Sequence, residues 1–187
     1  MASAFTHAFA AIALGNIASG SQRGWRFWVL AAGSAVLPDA DVITFAFGVQ
    51  YEDVLGHRGF FHSLLFALIW AAFVVRLEFR QARSRELSWL IVFFFAVTAS
   101  HGALDAFTNG GLGVAFFSPF DNTRYFFGWR PLEVSPISIA RFFSEGGSAV
   151  LRSEFKYVWL PLASLWLSVW IARRVLRALQ TRAEAPG

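Results

Sequence analysis

Cysteine is absent from the 187 residues, which removes disulfides, thiolate metal sites and cysteine nucleophiles in any compartment. Charge is scarce as well. Only 15% of the residues are Asp, Glu, Lys or Arg, against roughly 25% in a soluble domain, too few to wet a folded surface. There is no Gly-rich phosphate loop, no nucleic-acid-binding motif and no low-complexity region. The lack of a Gly-x-Ser-x-Gly elbow argues against a serine hydrolase. What the chain has instead is apolar bulk: 56% hydrophobic residues, 22 Phe and 8 Trp, and a mean hydropathy of +0.51. These values define an all-α, polytopic membrane protein, and 187 residues suit one domain. The net charge of +4 comes from arginines close to apolar segments, a pattern that sets membrane orientation and gives no reason to expect a nucleic-acid partner.

Five apolar stretches are predicted as membrane helices: 4–19, 26–47, 60–75, 87–107 and 157–172. A span needs about 20 apolar residues, so the second and fourth are long enough unaided. The first, third and fifth need flanking aromatics or a thinned bilayer. Stretch 4–19 lacks a basic n-region and carries His7 inside its apolar run, so it is read as a retained helix rather than a signal peptide. Residues 108–156, rich in Gly, Pro, Phe and Arg, are read as a loop with a short interfacial helix near 137–143. The motifs lie within 1–137, and 157–187 is the last helix with its basic tail.

Arginines orient the topology. Arg76, Arg80, Arg83 and Arg85 crowd the connection after the third stretch, and Arg173, Arg174, Arg177 and Arg182 crowd the tail. Both belong in the cytoplasm. Counting back, Arg23 and Arg26 also fall inside, and the inside connections then carry 10 Lys/Arg against 3 acids, Glu78, Glu86 and Glu184.

On that arginine-derived topology, His7, Asp39, Asp41, His57, His62, His101 and Asp105 all fall toward the outer face. Ionisable groups in apolar segments are costly unless paired or ligated, and three carboxylates together repel unless a cation sits among them. Each motif has an ordinary reading by itself. His101 and Asp105, at i and i+4, can be a simple hydrogen bond. Asp39 and Asp41, after Pro38, can be an interfacial turn. His57 and His62 can be interfacial histidines beside a snorkelling Arg58, and His7 a packing residue. Four such accidents on one face are harder to accept than one divalent-metal site. The mixed N/O donor set favours zinc, manganese or iron, as one or two ions.

The order His7, then Leu37-Pro38-Asp39-Ala40-Asp41, then His57-Arg58-Gly59-Phe60-Phe61-His62-Ser63, then Ser100-His101-Gly102-Ala103-Leu104-Asp105 resembles the LexA-regulated, membrane-bound metal-dependent hydrolases of bacterial inner membranes. The resemblance spans about residues 5–137. It departs at Val42, where the family often has His, and at Phe61, where it often has Thr; the missing His leaves a second ion less well supplied. The His/Asp order is also distantly similar to zinc-dependent phospholipase C. The resemblance implies an inner-membrane hydrolase. An outer-leaflet site flanked by aromatics and arginines suggests an amphiphilic substrate for metal-activated water, first a phosphoester-bearing lipid and second a lipid amide or ester. Asp39, Asp41 or Asp105 would act as base or bridge. Arg58, then Arg124 and Arg130, are the candidates for gripping an anionic substrate. The non-enzymatic alternative is a metal-binding transporter or sensor. A transporter should place its site at the midplane between internal repeats, and the chain has no repeat.

Overall fold

Backbone in hydrocarbon must satisfy its own hydrogen bonds, and a helix does so within one segment. The computed structural model describes residues 1–19 and 23–183; among these the chain is all-helical, with no strand beyond two isolated bridges, Thr108 with Leu132 and Val114 with Tyr125. The helices are α1 Ala4–Ser19, α2 Trp25–Val36, α3 Leu64–Glu78, α4 Ser84–Ala106, the single turn α5 Ile139–Arg141, α6 Gly147–Glu154 and α7 Leu160–Ala183. A 3₁₀ helix, Leu37–Phe47, continues α2, and a 3₁₀ turn, Phe60–His62, precedes α3. Pro38, in the first turn of the long 3₁₀ helix, has no N–H to donate to the last turn of α2, and the α-helical ladder ends there. Ser63 starts α3 by accepting from the Phe66 amide at 3.1 Å.

Three segments are long and apolar enough to cross a bilayer: Trp25–Phe47, Ser84–Ala106 and Gly147–Thr181. The 16-residue α1 and 15-residue α3 are shorter than a full span. The fifth stretch differs most from expectation. The apolar run predicts a short helix over 157–172, yet helical structure begins at Gly147 and runs through a π turn, Phe155–Trp159, into α7. The supposed outer loop therefore ends about ten residues earlier. Arg152, Glu154 and Lys156 interrupt the apolar run, but Glu154 is fully buried and paired, so its charge does not exclude helix. A short helix is present near 137–143 as α5 and the following π turn, Phe142–Gly146.

Helix α4 packs against α1, α2 and α3, and α7 lies along α1. The core joins small residues, Ala11, Ala31, Ala35 and Ala71, to Phe27, Phe93, Phe94 and Leu90. Small side chains let helices approach closely where lipid offers no hydrophobic drive to associate. Leu165, Leu167, Trp170, Ile171 and Val175 of α7 stay exposed, a lipid-facing surface.

The two ends of the bundle differ in chemistry. At one end Arg23 pairs with Glu86 at 2.7 Å, and Arg173 donates to the carbonyls of Asn16 and Ile17. Glu184 and the Arg182 side chain lie outside the described residues. The histidines and buried aspartates occupy the other end. Exposed Ser84 and Thr181 belong to the arginine end, and exposed Ser144 to the other, where neighbouring Phe142 meets Phe5. Cysteines at these three positions, in a chain with none of its own, are expected to react with an impermeant thiol reagent on intact cells at 144 only. Labelling at 84 with sparing of 144 would invert the protein.

Candidate metal centre

His7 enters from the first turn of α1, Asp39 and Asp41 from the 3₁₀ helix, His57 and Arg58 from the loop before α3, His62 from the 3₁₀ turn, and His101 and Asp105 from α4. All eight are buried; Asp39, at 8% exposure, is the least enclosed. Gly102, beside His101, makes the approach possible: a Cβ there would come within 2.9 Å of the His62 carbonyl oxygen.

The imidazoles are oriented. His101 Nδ1 faces the Ala35 carbonyl at 2.7 Å. A carbonyl only accepts, so Nδ1 carries the hydrogen and Nε2 presents a lone pair. That lone pair lies 3.1 Å from His62 Nε2, 3.2 Å from Asp39 Oδ1 and 3.9 Å from Asp105 Oδ2. His62 Nε2 in turn lies 3.7 Å from Asp39 Oδ1 and 3.6 Å from Asp105 Oδ2. His7 stacks on His101 with ring centroids 3.7 Å apart, and its Nε2 is 3.6 Å from Asp105 Oδ1. Donor atoms of Asp39, His62, His101 and Asp105 all lie within 4.8 Å of one another, a spacing that could hold a metal ion.

Two further observations fit a cation there. Among the described residues, every buried side-chain polar atom without a hydrogen bond belongs to this cluster: both nitrogens of His7, both oxygens of Asp39, His62 Nδ1, Asp105 Oδ2 and Arg58 Nε. Buried polar groups normally find partners, so a concentration of unpartnered donor atoms at one point is informative. The charges also fail to cancel. Asp39, Asp41 and Asp105 outnumber the cations beside them, the Arg58 guanidinium on Asp105 and the Met1 ammonium near Asp105 and Asp39, so a negative charge is left when the imidazoles are neutral. A bound cation would offset it.

Asp41, His57 and His62 form a second group with metal-ligand spacing. Here His57 Nδ1 already meets Asp41 Oδ1 at 2.7 Å in a hydrogen bond. Asp41 Oδ2 accepts from the Arg58 amide at 3.2 Å and lies 3.1 Å from His62 Nδ1, out of line for a hydrogen bond. The two groups share His62, and a neutral imidazole has one lone pair.

The three arginines separate. Arg58 is wholly buried, with a backbone φ of 63°. Its Nε lies 3.1 Å from Asp105 Oδ2, and its terminal nitrogens donate to the Gly110 carbonyl at 2.9 Å and the Thr108 hydroxyl at 3.0 Å. Arg124 is half-buried and donates to the carbonyls of His57 and Tyr51, tying the loop before α3 to the segment after α4. Tyr51 packs edge-on against His57, and burial raises its phenol above the ordinary value, so it stays protonated at neutral pH. Arg130 is exposed over the Phe126 ring and is not brought into the cluster.

Sequence reasoning missed Glu154. Its carboxylate accepts from the Ser3 amide, from the Ser3 hydroxyl at 2.6 Å and from the Thr6 hydroxyl at 2.8 Å, while Trp159 Nε1 donates to Thr6 Oγ1. This clamp anchors the first turn of α1, where His7 sits, and an acid at a helix N-terminus also complements the helix dipole. The backbone contributes too, with the Ala2 amide donating to Asp105 Oδ1 at 2.6 Å.

Fold and site together define a polytopic helical membrane protein with a buried His/Asp cluster that could bind metal. The profile of the YdjM inner membrane protein family matches residues 1–178, and the chain belongs to that family. It is 41% identical over 143 residues to the inner membrane protein YbcI of Escherichia coli (strain K12), an alignment covering 75% of this chain and 80% of that protein. No solved structure matches.

Proposed function

We propose that this protein is a metal-dependent hydrolase whose centre takes a single divalent ion, zinc first by its donor set, and whose substrate is a phosphoester-bearing lipid or similar amphiphile at the outer face of the inner membrane. The observation that carries the reading is the set of unpartnered atoms on Asp39, His7 and Asp105 beside the fixed lone pair of His101, with His62 Nε2 3.1 Å from that lone pair. Asp39, His62, His101 and Asp105 would hold the ion, with His7 in reach. One ion follows from His62, which can offer a neutral lone pair to only one of the two groups that share it. The Nε2 side has more free donors. When bound, the ion supplies a water of lowered pKa and polarises the scissile oxygen.

The chain's own residues do the rest. Asp39, the least enclosed carboxylate, would accept the proton of an attacking water on the oxygen that does not hold the ion. Arg58, with its three contacts inside the fold, holds Asp105 in position rather than reaching for substrate. Asp41 fixes His57 and braces the turn that carries His62. An outer-shell carboxylate of this kind typically changes metal affinity 10–100-fold when altered. Asp41→Asn is therefore expected to weaken binding by about that factor at unchanged stoichiometry, while Asp39→Asn loses more. Equal losses, or two ions in the wild type falling to one in Asp41→Asn, would show Asp41 to be a ligand.

The function itself is tested on protein purified in detergent. Metal content is measured first, then release of phosphate or headgroup from a phospholipid and lipid-phosphate panel, with and without chelator. Chelator-sensitive turnover is expected. Stoichiometric metal without turnover on phosphate, ester or amide lipids would point to a metal-binding transporter or sensor.

A further inference from the structure

The arginine end of the bundle holds a groove of about 940 Å³ between α3 and α4, far from the His/Asp cluster along both helices. One wall is a face of α3, where Phe73 and Arg76 are three residues apart and therefore neighbours. The other is a face of α4, where Leu87 and Ile91 are four apart. Buried Val75 forms the floor, and Arg80 and Gln81, from the turn joining the helices, close the end. Phe73 is 51% exposed, so the groove opens toward lipid.

Its charges are unbalanced. Arg76 and Arg80 are both exposed, and neither makes a hydrogen bond or ion pair with any described residue. Glu86, an acid at the same end, is committed to Arg23, which also lies over the Trp89 ring at 4.8 Å. Glu78 lies two residues from Arg76 on α3, about 200° away around the helix, and does not line the groove. The groove thus offers two unpaired guanidiniums above apolar walls at one membrane interface. Guanidinium forks match phosphate oxygens, and basic pockets between membrane helices are a recurrent form of anionic headgroup site.

We infer that this groove is a binding site for an anionic phospholipid, with its phosphate on Arg76 and Arg80 and an acyl chain between Phe73 and Ile91. The inference is independent of the metal centre and of any hydrolysis. Ordinary snorkelling of arginines to headgroups predicts no selectivity and no retention through detergent washing, which separates the two readings.

The test is lipid retention on the full-length protein in detergent, by native mass spectrometry after exchange into equimolar phosphatidylglycerol and phosphatidylethanolamine. Wild type is expected to keep phosphatidylglycerol in preference to phosphatidylethanolamine. The Arg76→Gln/Arg80→Gln double variant should lose that preference by about tenfold or more. Arg177→Gln, which removes an exposed arginine of α7 outside the groove, should not. Because all three side chains are exposed, the variants are expected to fold, which far-UV circular dichroism checks. Equal retention of both lipids by wild type, or equal losses in the groove variant and in Arg177→Gln, would overturn the proposal.

Discussion

Replacing His101 by alanine is expected to strip the purified protein of bound metal while leaving the helical bundle assembled. His101 is the one imidazole whose tautomer is fixed by a backbone acceptor, the Ala35 carbonyl at 2.7 Å, and its Nε2 lies within 4 Å of His62, Asp39 and Asp105 donor atoms. Alanine removes a ligand rather than a group that orients one, so the affinity loss should exceed the roughly 100-fold ceiling of outer-shell changes. It also leaves a void beside His7 and strands the Ala35 carbonyl, so some loss of thermal stability should accompany it. Metal content by mass spectrometry, beside far-UV circular dichroism of the same sample, separates the two effects. Wild-type metal content in a folded His101→Ala protein would return His101 to the rank of a packing residue.

Arg58→Ala should be the most destabilising single change at this end of the molecule. The guanidinium pairs with Asp105, it is wholly buried, and it also satisfies the Gly110 carbonyl and the Thr108 hydroxyl. Removing one partner of a buried ion pair typically costs about 3–5 kcal/mol because the other charge is left uncompensated. Two controls make this specific. Arg58→Ala/Asp105→Asn removes the stranded charge along with its partner and should recover part of the stability while still failing to bind metal. Arg58→Lys keeps the charge but not the fork that reaches three acceptors, and should fall between. Thermal melts in detergent, with and without added zinc, provide the readout; zinc should raise the melting temperature of Arg58→Ala if a cation can replace the missing charge. An Arg58→Ala protein as stable as wild type would remove Arg58 from the electrostatic account.

The sequence made the membrane helices legible because hydrocarbon imposes a length and an apolarity that show in any run of residues. It also showed that four separate motifs head for one end, since arginines fix the direction of each helix independently of the histidines. Other features left no local trace. Glu154 reads as an interruption of an apolar run, and only the packing of α6 beside α1 reveals that Ser3 and Thr6 are waiting for it. Arg58 in a loop of histidines suggests an exposed hand for substrate. Its buried fork depends on Gly111, whose φ of +88° turns the chain and where a Cβ would lie 2.6 Å from an Arg58 terminal nitrogen. The long 3₁₀ helix was equally silent, because Pro38 announces a break in α-helix without specifying the tighter winding that follows.

The near-complete enclosure of the cluster has a kinetic consequence. With seven of its eight side chains at 3% exposure or less and Asp39 at 8%, a chelator has no ligand edge to grasp in the closed structure. An ion held there would leave only when the chain opens, and the segment Leu37–Phe47 carries the one member that touches the surface. Extraction by excess chelator should then proceed at a rate independent of chelator concentration. The half-time of metal loss would be a clock for the breathing of that segment rather than a measure of affinity, and a change such as Pro38→Ala should reset the clock even where equilibrium metal content is unaltered.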